Sequence, residues 1–199
     1  MHTDNNTVLR GTILLQIARA SISTSLGRIQ QADEQAIWLQ ERGACFVTLT
    51  QQGALRGCIG TLEAHRSLLL DVKANAVLAA IRDPRFAPLT VAELDETEIE
   101  VSLLSDMQPM PFSNERDALT KLKPSIHGVL FEFGRHRSTF LPQVWEQLPN
   151  VVEFMAHLKK KAGLSHDFWS EEVKLSIYTV CQWKESDIAK VTAPRTHET

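Results

Sequence analysis

The chain alternates between stretches of helical and of strand periodicity. Over residues 8–27 the apolar positions Leu9, Ile13, Ile17, Ala20 and Ile22 recur mostly at helical spacing, and Gly27 suits the stop. Two runs rich in β-branched and apolar residues follow, ACFVTLT at 44–50 and LRGCIGTL at 55–62. The Gln-Gln-Gly connection between them makes a hairpin. Ser67 caps an Ala/Leu-rich helix that ends near Asp83, because the residue before Pro84 is pushed out of helical geometry. DPRFAPL at 83–89 then reads as a loop, and Thr90 with Glu93 has the capping-box pattern of a brief helix. TEIEVSLL at 97–104 alternates as a half-buried strand.

The second half continues with a helix over 113–122, a hairpin from HGVLFEF through a GRHR turn to STFL, and a short helix opened by Pro142. Asn150 starts a helix carrying Val151, Met155 and Leu158 inward, which Gly163 ends. VKLSIYTVCQW at 173–183 reads as one last long strand. Residues 1–7 are polar and read as frayed, and residues 185–199 lose periodicity and read as a flexible tail. Strands separated by helices, with hairpins among them, predict an α+β protein with a largely antiparallel sheet. With no long linker, residues 1–184 read as a single domain.

Composition narrows the class. At 199 residues, 43% hydrophobic and 23% charged, the chain has a globular profile. A net charge of −3 argues against a whole-surface basic footprint for nucleic acid, though not against a local cationic groove. Three cysteines without CxxC spacing and no secretory leader pattern predict a reducing, cytoplasmic compartment. No apolar run approaches the roughly 20 residues needed to span a bilayer. No His, Cys, Asp or Glu group has zinc spacing and no glycine-rich loop leads from strand to helix, so neither a metal nor a nucleotide cofactor has local support.

The candidate chemistry centres on Cys58. In a regular strand, Arg56 and Cys58 share one face while Leu55 and Ile59 take the other, which sets Arg56 about 7 Å from Cys58 along the strand. A cation there favours a thiolate, and Gly57 and Gly60 leave room for a ligand or another backbone to approach. The bland alternative is a small buried residue between packing glycines. Cys45 and Cys181 lack such neighbours and read as core. A reactive cysteine needs a base and something to orient it: His127, before a glycine at the start of a strand, and Glu100, on the polar side of its strand, have the right chemistry. A turn-closing histidine and a solvated glutamate are the alternatives. Arg82 and Arg85 flank the Asp83-Pro84 break as an anion clamp or as partners of nearby carboxylates. KKK at 159–161 reads as a solvated helix end, and SHD at 165–167 cannot form a triad because consecutive side chains diverge.

The ordered series LRGCIGTL, DPRF, EVSLL, HGV and TFLPQV resembles the AMMECR family, named for a chromosomal region whose deletion causes a syndrome that includes Alport disease. The resemblance implies an α+β fold of two unequal subdomains, the larger containing both termini, with signature residues lining a cleft between them. The signature positions are Arg56, Gly57, Cys58, Ile59, Gly60, Asp83, Arg85, Phe86, Glu100, His127, Gly128, Leu141, Pro142 and Gln143. The family has no settled activity, and its association with Memo-type and radical-SAM proteins implies a modification pathway with such partners. The leading expectation is an enzyme of small-molecule or RNA modification: Cys58 as nucleophile, Arg56 lowering its pKa, His127 transferring protons, Glu100 orienting the imidazole. The alternatives are a module binding an anionic ligand, nucleotide or RNA through Arg56, Gly57, Gly60 and Arg85, and an adaptor for a partner protein.

Overall fold

The computed structural model describes residues 5–192. The chain divides into two compact units: residues up to Leu104 together with those from Cys181 on form the first and larger, and Ser105–Val180 the second.

In the first unit, α1 (Asn5–Ser25) begins three residues before the expected Val8, and Gly27, at φ +85°, turns the chain after it. Strands β1 (Cys45–Gln51) and β2 (Ala54–Gly60) form the expected hairpin. Gln52 and Gly53 both have positive φ (50° and 81°), the backbone that a two-residue turn between twisted strands requires. α2 (Leu68–Ile81) stops just before Asp83-Pro84. A 3-10 helix over Val91–Glu96 carries the Thr90/Glu93 cap, and β3 (Thr97–Leu104) follows it. The sheet runs in the order β2-β1-β3-β8, where β8 is Val180–Lys184. Its inner face, with Val47, Leu49, Ile99 and Val101, packs against Leu14, Ile17 and Ile22 of α1 and Val72 and Ala76 of α2. Each large aliphatic side chain so buried stabilises by about 2 kcal/mol.

The second unit holds the sheet β4-β7-β5-β6: β4 is Gln108–Pro109, β5 Gly128–Phe133, β6 His136–Phe140 and β7 Lys174–Tyr178. α3 (Glu115–Lys121), a 3-10 helix over Pro142–Glu146 and α4 (Val151–Lys161) complete it. Its core gathers Phe131, Trp145, Phe154, Met155 and Leu158, with the Trp145 and Phe154 rings stacked at 3.6 Å.

Four expectations are corrected. Cys181, expected in the core, is exposed on β8, because an edge strand of the sheet leaves its side chain at the surface. The last long strand is two, β7 and β8, in different sheets; the break falls at Thr179, whose N–H donates to Ser105 Oγ at 2.9 Å instead of to a ladder. The tail from Glu185 begins as helix α5 (Glu185–Thr192). Arg19 grips the Glu185 carboxylate with two 2.5 Å bonds, and that carboxylate also accepts the Ile99 N–H at 2.9 Å, so one charge docks the helix to α1 and β3. Residues 193–199, like residues 1–4, lie outside the described part. Finally, Lys159 is no solvated helix end: it is 2% exposed, donating to Glu115 at 2.7 Å and to the Phe168 carbonyl at 3.0 Å.

Candidate functional site

Cys58 lies on the edge strand of the first sheet, and a single irregularity decides where its sulfur points. Pairing runs Gln51 with Ala54 and Thr50 with Leu55, then resumes with Leu49 opposite Gly57 and Thr48 opposite Cys58, leaving Arg56 as an extra, bulged residue. Val47 and Leu49 of β1 face the helices and are fully buried, whereas Thr48 and Thr50 face the other way. Cys58 therefore lies on the sheet face away from the helices. Leu55 shares that face, which corrects the alternation expected for a regular strand.

The outer edge of β2 at Cys58 is met by side chains instead of another strand. The Cys58 N–H donates to Asp83 Oδ2 at 2.8 Å, and Arg85 Nη2 donates to the Cys58 carbonyl at 3.2 Å. Asp83 is 4% exposed, and it also accepts from Arg85 N, Nε and Nη2 at 3.1, 2.9 and 2.7 Å. These bonds, led by those from the Arg85 side chain, hold its carboxyl well below the usual carboxylate range against the opposing effect of burial. The Asp83–Arg85 pair thus fixes both backbone polar groups of Cys58 and closes the strand edge to further pairing.

Arg56 and the two glycines serve other ends than expected. The Arg56 guanidinium reaches Glu93 (3.1 and 3.3 Å) and the carbonyls of Ala87 (2.8 Å) and Pro88 (3.4 Å), tying down the loop after α2. Glu93 is held down to about 2, chiefly by Arg56 and secondarily by Thr90. Arg56 is a structural clamp on that loop. A Cβ on Gly57 would lie 2.2 Å from the Ala79 carbonyl oxygen of α2. One on Gly60 would lie 2.2 Å from the Phe46 ring. The room beside these glycines is filled by the protein itself, so neither opens a path for a ligand.

Thr48 Oγ1 donates to Cys58 Sγ at 3.3 Å. Arg85, which holds the Cys58 carbonyl, keeps its proton more firmly than usual, first through Asp83 and then through Cys58. Glu100 lies opposite Thr48 on the same face, so Cys58, Thr48 and Glu100 form a row across three strands, and strand spacing separates the outer two by about 10 Å. The Glu100 carboxylate is engaged by Gln182 and by Lys184 (3.2 Å), and it raises the Lys184 pKa. It anchors β8 instead of orienting an imidazole.

His127 belongs to the second unit, where it is buried. Its Nδ1 accepts the Lys123 N–H at 3.2 Å, and its carbonyl accepts the Trp145 indole N–H at 2.7 Å. A ring nitrogen that accepts is unprotonated, so the neutral ring carries its proton on Nε2. Burial, then the Lys123 charge, holds its pKa below the ordinary value. The ring is a donor at Nε2 with its other nitrogen occupied, which is the turn-closing role and not that of a ready base. Gly128 is required by Tyr178, whose ring would stand 2.4 Å from an added Cβ.

Among the described residues, no three His, Cys, Asp or Glu side chains are grouped as metal ligands would be, and no helix is long and apolar enough to cross a membrane. Two participants were not singled out from the sequence for their part beside the sulfur. Asp83 carried a signal, as the carboxylate beside Arg85. Thr48 carried none, because only the bulge brings it opposite Cys58.

A family model described as AMMECR1 matches residues 15–183. Protein MJ0810 of Methanocaldococcus jannaschii is 36% identical over 179 residues, covering 85% of this chain and 87% of that protein. A protein of Thermotoga maritima is 35% identical over 162 residues, 79% of this chain and 88% of its own length. The crystal structure of the uncharacterized protein PH0010 from Pyrococcus horikoshii superposes with a TM-score of 0.77 at 31% identity, covering 88% of this chain and 91% of that one.

Proposed function

The chain belongs to the AMMECR1 family, and from that premise we propose that it is an enzyme of a modification pathway in which Cys58 is the reactive thiol. One observation carries this reading: the half-buried Cys58 sulfur lies on the face away from the helices and receives the Thr48 hydroxyl. Backbone support alone does not distinguish it, because Asp71 and Asn75 hold the N–H and carbonyl of Cys45 as Asp83 and Arg85 hold those of Cys58. The two cysteines differ at the sulfur: that of Cys45 is fully buried, its thiol pushed up by burial and then by Asp71.

Thr48 and Arg85 supply a donor and a cation to a sulfur that carries negative charge as it attacks. The thiol gives its proton to water, the sulfur lone pair forms a bond to an electrophilic carbon, and the leaving group departs with its electron pair. Arg56 and Glu100 support the strands around this step. The reading of Arg56 as a ligand's anchor is weakened by its four protein contacts. Memo-type and radical-SAM proteins are proposed as pathway partners and not as ligands of this site.

Peptide-resolved mass spectrometry of iodoacetamide labelling tests the proposal. At neutral pH, Cys58 is expected to react about tenfold faster than a model thiol, and Thr48→Val to slow it about threefold. Labelling no faster than the model thiol across the pH range overturns the assignment.

A further inference from the structure

Arg85 has an inner and an outer edge. Nε and Nη2 face inward, to Asp83 and to the Cys58 carbonyl, and these bonds, with the Phe86 ring 5.5 Å from the guanidinium carbon, fix the plane of the group. Even so, the side chain is 53% exposed while that of its partner Asp83 is 2% exposed. A guanidinium carries five N–H donors in a rigid fork. The inward bonds use those of Nε and Nη2, and Nη1 makes no hydrogen bond to a described residue. Arg56, by contrast, spends Nε, Nη1 and Nη2 on protein acceptors and its side chain is 14% exposed. The signature therefore contains one saturated arginine and one with an outward donor edge, and the second is the one beside Cys58.

From this we infer that Arg85 receives an oxyanion of the substrate, so that the site takes small electrophiles bearing a carboxylate or phosphate next to the carbon that Cys58 attacks. The inference rests on Cys58 being the reactive thiol. Asp83 sets the plane of the guanidinium from behind, where its oxygens are occupied by four donors and do not face the incoming anion. Pre-set planarity is what makes arginine suited to carboxylate and phosphate.

Iodoacetate and iodoacetamide differ by one negative charge and undergo the same reaction: the thiolate sulfur bonds to the methylene carbon and iodide leaves with the bonding pair. The ratio of their rates, iodoacetate over iodoacetamide, is measured at Cys58 and at the exposed Cys181 of the same chain, which serves as internal reference. At Cys58 the ratio is expected to exceed that at Cys181 by about fivefold. It is expected to fall to the Cys181 value in about 1 M salt, where the screening length is roughly 3 Å, and in Arg85→Gln, with Arg85→Lys between. A ratio equal to that of Cys181, or one that salt does not change, overturns the anion assignment while leaving the reactive thiol intact. Failure of both reagents at Cys58 overturns the reactive thiol itself. The salt arm uses the unaltered chain and therefore decides the matter even if Arg85→Gln does not fold.

Discussion

The stretch Arg56–Gly60 in the first unit and His127–Gly128 in the second have the same composition in outline: a chemically capable side chain beside a glycine, in or entering a strand. They end differently. At Cys58 neighbours bind both backbone groups, and the half-buried sulfur, on the sheet face away from the helices, takes only the Thr48 hydroxyl. At His127 a neighbour's N–H goes to the side chain itself, and a buried indole takes the carbonyl, so the ring becomes part of the turn. Gly57 admits a helix carbonyl and Gly128 an aromatic ring, so both serve packing. What separates the two stretches is that His127 gives a ring nitrogen to the backbone, while Cys58 keeps a half-buried sulfur bound by one hydroxyl.

The largest expected effect comes from the two glycines. Gly57→Ala drives a methyl into backbone that cannot rotate away and should cost about 3 kcal/mol, measured by urea unfolding. Gly128→Ala meets a ring that can tilt and should cost less. Equal losses would erase the distinction between the two contacts. Next comes Asp83→Asn, expected to cost about 2 kcal/mol near neutral pH because it removes the charge of a buried carboxylate that four donors satisfy and loosens the Cys58 backbone. Asp83 and Glu93 both have depressed folded-state values. The stability they contribute is fully present above their unfolded values near 4, and is lost as pH falls toward about 2 and, for Asp83, below it. The gap between wild type and Asp83→Asn should therefore narrow below pH ~4 in acid unfolding curves. A gap that stays constant down to the acid limit would mean that charge pairing is not what Asp83 contributes.

The smallest effect, and the sharpest on the second stretch, is the titration of His127. Its folded value lies below the ordinary 6.5, so the unfolded chain binds the extra proton first and the His127 contribution to stability is lost as pH falls from about 6.5 through the folded value. Nitrogen-resolved NMR should show the Nε2–H tautomer persisting below pH 6.5. A ring that titrates at or above that value would return His127 to the candidates for proton transfer.

The hydrophobic pattern by itself determined the main helices, most of the strands and the hairpin that carries Cys58, because helical and alternating periods are local properties of the chain. The order of short motifs determined the family, as the match over residues 15–183 bears out. Tertiary structure decided the rest. VKLSIYTVCQW reads as a continuous strand because both halves have strand propensity, and only the surrounding chain assigns them to separate sheets. The run from Glu185 has no apolar period, yet becomes helical where Arg19 and Ile99 hold its first carboxylate. Arg56 and Arg85 look interchangeable as letters, and which one keeps an outward edge depends on acceptors that folding brings from 27 to 37 positions away. Above all, the two-residue turn sets a register in which a regular ladder would put Cys58 opposite Val47, on the buried face. The extra residue at Arg56 moves it opposite Thr48. Because strand side chains alternate with a period of two, that one-residue slip turns the sulfur from the core to the opposite face of the sheet.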